Sequence, residues 1–237
     1  MSGHSKWSTI KRQKEATDAK RGAVFTKIGN QIALAAKGGT DPAMNSSLAL
    51  AIEKAKSANM PAANIQRAID RVKDKNASAF DEVLYEAYGP GGIGIIIEAA
   101  TDNKNRTFPE VRTAITKNGG TMADSGSVAF QFTRKGVIRV KASGEDALLT
   151  ILDCGAEDAI EDEGEITVYT LAGDLAKVRQ SLKDANLEII DAELQYVANN
   201  IIEISDAEVA RKVEKIMDAL DDLDDVSNVH SNFDITL

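Results

Sequence analysis

The spacing of apolar residues changes once along this chain, near residue 76, and that change limits the folds open to it. Before it, Phe25, Ile28, Ile32 and Ala35, then Leu48, Ile52 and Ala55, then Ile65, Ala68, Ile69 and Val72 recur every three or four residues, the stripe of a helix with one buried face. After it, Glu82 to Tyr88 and Ile93 to Ala100 carry β-branched and aromatic residues on either side of Gly89-Pro90-Gly91-Gly92 and predict a hairpin. An α+β fold follows, helices first. At 237 residues the chain suits two or three small domains better than one large one.

The boundaries are marked by punctuating residues. The first twenty residues hold too few apolar side chains to pack and read as an extended arm. Helix one begins near Ala19 and closes at Gly38-Gly39. Asp41-Pro42 reads as the cap and first position of helix two, and Asn59-Met60-Pro61 ends that helix and opens a third, so short links predict a three-helix bundle ending near Lys75. Beyond the hairpin, Thr107 with Glu110 three residues later predicts a helix start, Gly119-Gly120 its end, and Ser127 to Thr133 a strand.

A second set follows: strand Val137 to Val140, helix Glu145 to Cys154, strand Ile166 to Thr170, helix Asp174 to Ala185 and strand Leu187 to Val197. Residues 206 to 221 are an amphipathic helix and Val226 to Ile235 a closing strand. Residues 80–134 lack one helix and one strand of a split β-α-β layout, which the C-terminal pair can supply. The expected domains are therefore 1–75, 80–134 with 206–237, and an inserted unit, 135–205.

Charge divides the chain at the same place. Residues 1–75 carry 14 Lys and Arg against 6 Asp and Glu, a balance of +8, and the remainder carries 14 against 31, or −17. Charge scattered over a solvated surface gives similar balance in both parts, so a cationic end that holds a polyanion is the better reading. Lys6, Lys11, Arg12, Lys14, Lys20, Arg21 and Lys27 are the candidate phosphate contacts. The only tryptophan, Trp7, sits among them, where its ring can stack on a base or anchor the arm on the bundle. Asn103, Lys104, Asn105 and Arg106 join a strand to a helix N-terminus with amide and cationic donors and form a second candidate contact, although capping and turn roles also suit the asparagines.

Catalytic signals are thin. His4 lies in the arm, His230 in the last strand, and Cys154 has no partner for a nucleophilic pair and reads as a small core residue. The acids at Glu161-Asp162-Glu163 with Glu165, and at Asp221-Asp222 with Asp224-Asp225, lack a glycine-turned ligand loop and read as solvated patches. No cofactor and no metal are expected. Without a run of about 18 apolar residues the chain is not expected to enter a membrane, and a cytoplasmic location is the expectation.

The strings GHSKWSTIKRQKEATDAKRG, then FTK, YEAYGPGGIGIIIEAATDNKNRT and GSVAFQF closely resemble the YebC/PmpR family, which includes the mitochondrial translational activator of cytochrome c oxidase. The resemblance spans essentially the whole chain. It implies an N-terminal bundle and two ferredoxin-like α+β domains, the third inserted in the second, in a bacterial cytoplasmic protein that binds promoter DNA, or that joins the ribosome and assists translation of proline-rich stretches. Carried over by residue, it points to Lys6, Trp7, Lys11, Lys20 and Arg21, and to Asn103, Lys104, Asn105 and Arg106. The chain departs from the family pattern at Asn118 to Asp124, and at Phe108-Pro109, where small or aliphatic residues are usual. Either partner, promoter DNA or ribosomal RNA, is a polyanion.

Overall fold

The computed structural model describes residues 18–73, 80–162 and 164–236. Helix α1 (Asp18–Ala36) buries Ile28, Ile32 and Ala36 against α2 (Ser46–Ser57) and α3 (Ala62–Asp70), which contribute Leu48, Ala55, Ile65, Ala68 and Ile69. The stripes read from the sequence are the faces that meet, and three neighbouring faces buried together stabilise helices too short to stand alone. The start of α2 differs from expectation. Its cap is Asn45, whose side-chain oxygen accepts from the Leu48 amide while its amide nitrogen donates to the carbonyls of Ala35 and Gly39. Asp41 instead accepts from the Ala43 amide at its carboxylate and from the Met44 amide at its carbonyl, in a local turn.

Strands β1 (Asp81–Tyr88) and β2 (Gly94–Thr101) form the predicted antiparallel hairpin, with Tyr88 opposite Gly94. The turn between them holds Gly91 and Gly92 at φ of 80° and 78°, which glycine adopts without steric cost. Helix α4 (Lys104–Thr116) leads to the short strand β3 (Thr121–Ala123), which pairs with the outer edge of β1. Helix α7 (Ala207–Asp221) precedes β9 (Val226–Ser231), which pairs antiparallel with β2, so the sheet order is β3-β1-β2-β9. Both helices cover one face of this sheet, where Ile93, Ile95, Ile97, Val111, Ile115, Val213, Ile216 and Leu220 form one continuous core. A small parallel pair, β8 (Ile202–Ile204) with β10 (Phe233–Ile235), adds Phe233 to it.

Residues 133–197 form a compact unit of their own. Strand β4 (Phe132–Lys141), α5 (Glu145–Asp153), β5 (Asp158–Asp162), β6 (Glu165–Leu171), α6 (Leu175–Asp184) and β7 (Glu188–Ala198) give a β-α-β-β-α-β order with sheet order β5-β6-β4-β7. That is the ferredoxin-like layout. Arg139 joins three of its strands, with Asp191 at 2.7 Å and Glu165 at 3.4 Å.

Several expectations are corrected here. Ser127 to Gln131 is not strand but turn, because the Glu86 carboxylate accepts from the amides of Gly126, Val128 and Ala129, which are then lost to any ladder. The strand begins at Phe132 instead. Val226 to Ile235 is two strands, broken at buried Asn232, whose side chain accepts from the Gly94 amide and donates to Gln131. Strand β5 went unpredicted, since Asp158, Glu161 and Asp162 on an edge strand look like a solvated loop. Cys154 is not in a core but half-buried at the end of α5, where burial and then nearby carboxylates push its thiol pKa up.

Candidate nucleic-acid interface

Helix α1 has two working faces. One builds the bundle core, and the other, through Lys27, Asn30 and Ala33 and with Lys37 just beyond its end, meets the α+β sheet. Lys27 donates from its ammonium to the carbonyl of Asp221, the last residue of α7, where the helix dipole favours a cation. Asn30 donates to the Asp224 carbonyl at 3.5 Å and accepts from Arg71 at 3.4 Å. Ala33 packs with Phe80 and Ala100, and Arg71 lies 4.8 Å over the Phe80 ring. Lys37 donates to the Phe80 carbonyl at 2.8 Å and lies 3.7 Å from Asp81. Lys27, one of the cations expected to meet phosphate, therefore has an internal acceptor 194 residues away in sequence.

Lys20 and Arg21 lie in the first turn of α1. Lys6, Trp7, Lys11, Arg12, Lys14 and His4 lie outside the described residues.

The loop from Thr101 to Thr107 closes on a buried carboxylate. Asp225, 6% exposed, accepts from the hydroxyls of Thr101 at 3.1 Å and Thr107 at 2.7 Å, and from Arg106 through Nε at 3.2 Å and Nη2 at 2.7 Å. Arg106 also reaches Asp102 at 3.1 Å. Hydrogen bonding to Asp225 raises the guanidinium pKa further, so its charge is fixed. Asn103, rather than Thr107, caps the helix: its Oδ1 accepts from the Arg106 amide, and its own amide donates to the Thr101 hydroxyl. Thr107 is wholly buried, four positions into α4, where its hydroxyl serves Asp225. Pro109 then falls in the second turn rather than the first, and its missing amide leaves the Asn105 carbonyl without its helical donor.

Within the second candidate contact the four residues are thus divided. Asn103 is a cap and Arg106 a clamp. Lys104 stands 3.0 Å from Asp81 with its side chain more than half exposed, and Asn105 is exposed. Asp225 was missed by sequence reasoning, which placed it in a solvated acid patch. Nothing local distinguishes it from Asp221, Asp222 and Asp224; only its contacts across 119 residues do.

Glu98 meets Asn228 and His230 at 3.0 Å on the sheet, with both members of the His-Glu pair about nine-tenths buried. Among the described residues no group of three His, Cys, Asp or Glu could hold a metal ion, and no helix is long and apolar enough to cross a membrane.

Comparison with known proteins places this architecture. Residues 5–75 match the TACO1/YebC protein N-terminal domain, and residues 80–233 match the TACO1/YebC second and third domain. A probable transcriptional regulatory protein of Maridesulfovibrio salexigens is 48% identical over 99% of this chain and 96% of its own length. One of Fusobacterium nucleatum, similarly named, is 47% identical with the same coverage. The crystal structure of a conserved hypothetical protein from Aquifex aeolicus superposes with a TM-score of 0.88, at 40% identity over 93% of each chain. The chain belongs to the TACO1/YebC family.

Proposed function

We propose that this protein is a DNA-binding transcriptional regulator that grips the phosphodiester backbone with Lys6, Lys11, Arg12, Lys14, Lys20 and Arg21, with Trp7 stacking or anchoring beside them. The observation that carries this reading is the +8 balance of residues 1–75 against −17 in the rest. Such a dipolar molecule presents one end to a polyanion and keeps the other away from it. The names of the bacterial relatives, probable transcriptional regulatory protein, support a regulatory role. Lys104 and Asn105 stand exposed on the α+β part as a separate nucleic-acid contact, while Lys27 and Arg106 hold the protein's own elements together. In this scheme the chain works as three domains, 1–75, 80–134 with 206–237, and 135–205, in the cytoplasm, and performs no catalysis.

A second reading rests on the resemblance to a family that includes a translational activator: the same cations would hold ribosomal RNA, and the protein would assist translation of proline-rich stretches. Fractionation separates the two. Under the first reading the protein shifts promoter duplexes with sequence preference and stays out of the ribosomal pellet. Salt-sensitive co-sedimentation with ribosomes, alongside weak and sequence-indifferent duplex binding, would transfer the function to translation.

A further inference from the structure

Because Asn103 caps α4, Lys104 takes its first position, and Lys104, Phe108 and Arg112 follow at intervals of four residues. Side chains so spaced lie one above another, about 6 Å of rise apart. Thr107, Val111, Ala114 and Ile115 turn into the core, so the row runs along the margin of the buried face. Phe108 is 41% exposed, and its ring centre stands 5.8 Å from that of Tyr85 at a 45° tilt. Tyr85, partly buried against the core, props it from below. A large aromatic ring that is packed on one neighbour and still substantially exposed is a candidate stacking platform.

The two charged residues of the row, Lys104 and Arg112, are both cationic. Lys104 and Lys37 converge on the single carboxylate of Asp81, at 3.0 and 3.7 Å, and Lys104 in particular holds that carboxyl below its usual range. Two ammonium groups against one carboxylate leave a surplus of one positive charge. Arg112, two turns beyond Lys104, is exposed, with no side-chain partner among the described residues. One aromatic ring flanked by cations is too small an apolar area for a stable protein interface. It does suit a strand whose bases are unstacked, because every base has a face to stack and each is followed by a phosphate.

We propose that Lys104, Phe108 and Arg112 form a binding site for single-stranded nucleic acid, with Phe108 stacking on an unpaired base and the two cations holding phosphates on either side. The site deepens the nucleic-acid reading above and rests on it. It assigns the α+β part a different ligand state from the arm: the arm's cations hold any phosphate backbone, whereas the α4 row discriminates single strands from duplex.

The test uses the full-length protein, a 12-nucleotide single-stranded oligonucleotide carrying one 2-aminopurine, and a duplex of the same sequence. Phe108→Ala is expected to weaken single-strand binding about 5- to 100-fold and to abolish the 2-aminopurine fluorescence change, with duplex affinity altered less than about twofold. Phe108→Leu, which keeps apolar bulk without a ring, behaves as the alanine variant does, and Phe108→Tyr restores both signals. Lys104→Gln and Arg112→Gln each lower the salt slope of single-strand binding by about 0.7. Single-strand affinity and fluorescence unchanged in Phe108→Leu, or a parent protein that ignores the single strand, overturns the proposal. The arm is tested apart from it by Lys11→Ala, Arg12→Ala and Lys14→Ala together. Loss of duplex and ribosome binding there, with the α4 row inert, keeps the arm reading and discards this one.

Discussion

Arg106 and Asp225 lie 119 residues apart in sequence and share a two-point contact, Nε to Oδ2 at 3.2 Å and Nη2 to Oδ1 at 2.9 Å. The carboxylate comes from the turn before β9 and the guanidinium from the first turn of α4, so this pair ties the C-terminal segment to the loop that follows β2. A buried charge left without its partner is costly. Arg106→Ala should lower the unfolding free energy by about 2–3 kcal/mol, and Asp225→Ala by a similar amount. The double variant should lose less than the two singles combined, and a double-mutant cycle by urea denaturation measures that difference. Full additivity would show that the two side chains do not support each other.

Glu86 gives a pH dependence. The residue is 3% exposed. Burial raises its pKa, but the amides of Gly126, Val128 and Ala129 outweigh burial and bring it below the usual glutamate value. The folded state thus binds this proton less readily than the unfolded chain. Its stabilisation is complete above the ordinary glutamate pKa and is lost as pH falls through the lowered folded value. Glu86→Gln should flatten the fall in stability on the acid side, measured by urea midpoints from pH 7 downward. An unchanged acid limb would refute it.

Tyr169 acts at the other extreme. Burial, with a smaller push from the Asp158 charge, moves its phenol pKa up to about 12. Between the ordinary phenol value and that point the unfolded chain releases a proton that the folded protein keeps, so stability declines as pH rises there. Alkaline difference spectra should lose a late phenolate step in Tyr169→Phe, with the Tyr85 phenol, also raised by burial, still titrating above the ordinary value.

Backbone closeness at Gly120 is a steric prediction. A methyl group there would stand 2.8 Å from Ile115 Cγ2 and 2.9 Å from the carbonyl oxygen of Tyr88. The carbonyl is part of the backbone and cannot swing aside, so Gly120→Ala should cost about 1–3 kcal/mol. A thermal midpoint equal to the parent's would contradict this.

What the sequence made legible follows from the range of the interaction involved. The stripe of Ile28 and Ile32, and that of Ile65 and Ile69, are repeated signals within single elements, and those helices stand where the spacing put them. Caps were less legible. Asp41 and Thr107 have the right chemistry, yet Asn45 and Asn103 cap the helices: the Asn45 side chain also closes the preceding turn, and the Asn103 backbone amide is held by the Thr101 hydroxyl. The broken last strand depends on Asn232 meeting Gly94 across 138 residues, and the turn at Ser127 depends on Glu86 across about 40. No local pattern carries either contact. The same limit hid the roles of Lys27 and Arg106: residue type marks both as cations, and only the fold supplies the acceptors that occupy them. Phe108 was seen as a departure from a familiar pattern, while its alignment with Lys104 and Arg112 depends on where the helix starts.

The central claim is that cations near the N-terminus hold a phosphate backbone, and counterion release measures it most directly. Binding of the full-length protein to duplex DNA and to ribosomal RNA should weaken with salt, the duplex with a slope of log K on log salt of about −5, as six neutralised phosphates require. Replacing Lys6, Lys11, Arg12, Lys14, Lys20 and Arg21 by alanine should bring that slope close to zero. Failure of the parent protein to bind either nucleic acid at low salt, or an unchanged slope in the alanine variant, would contradict the account.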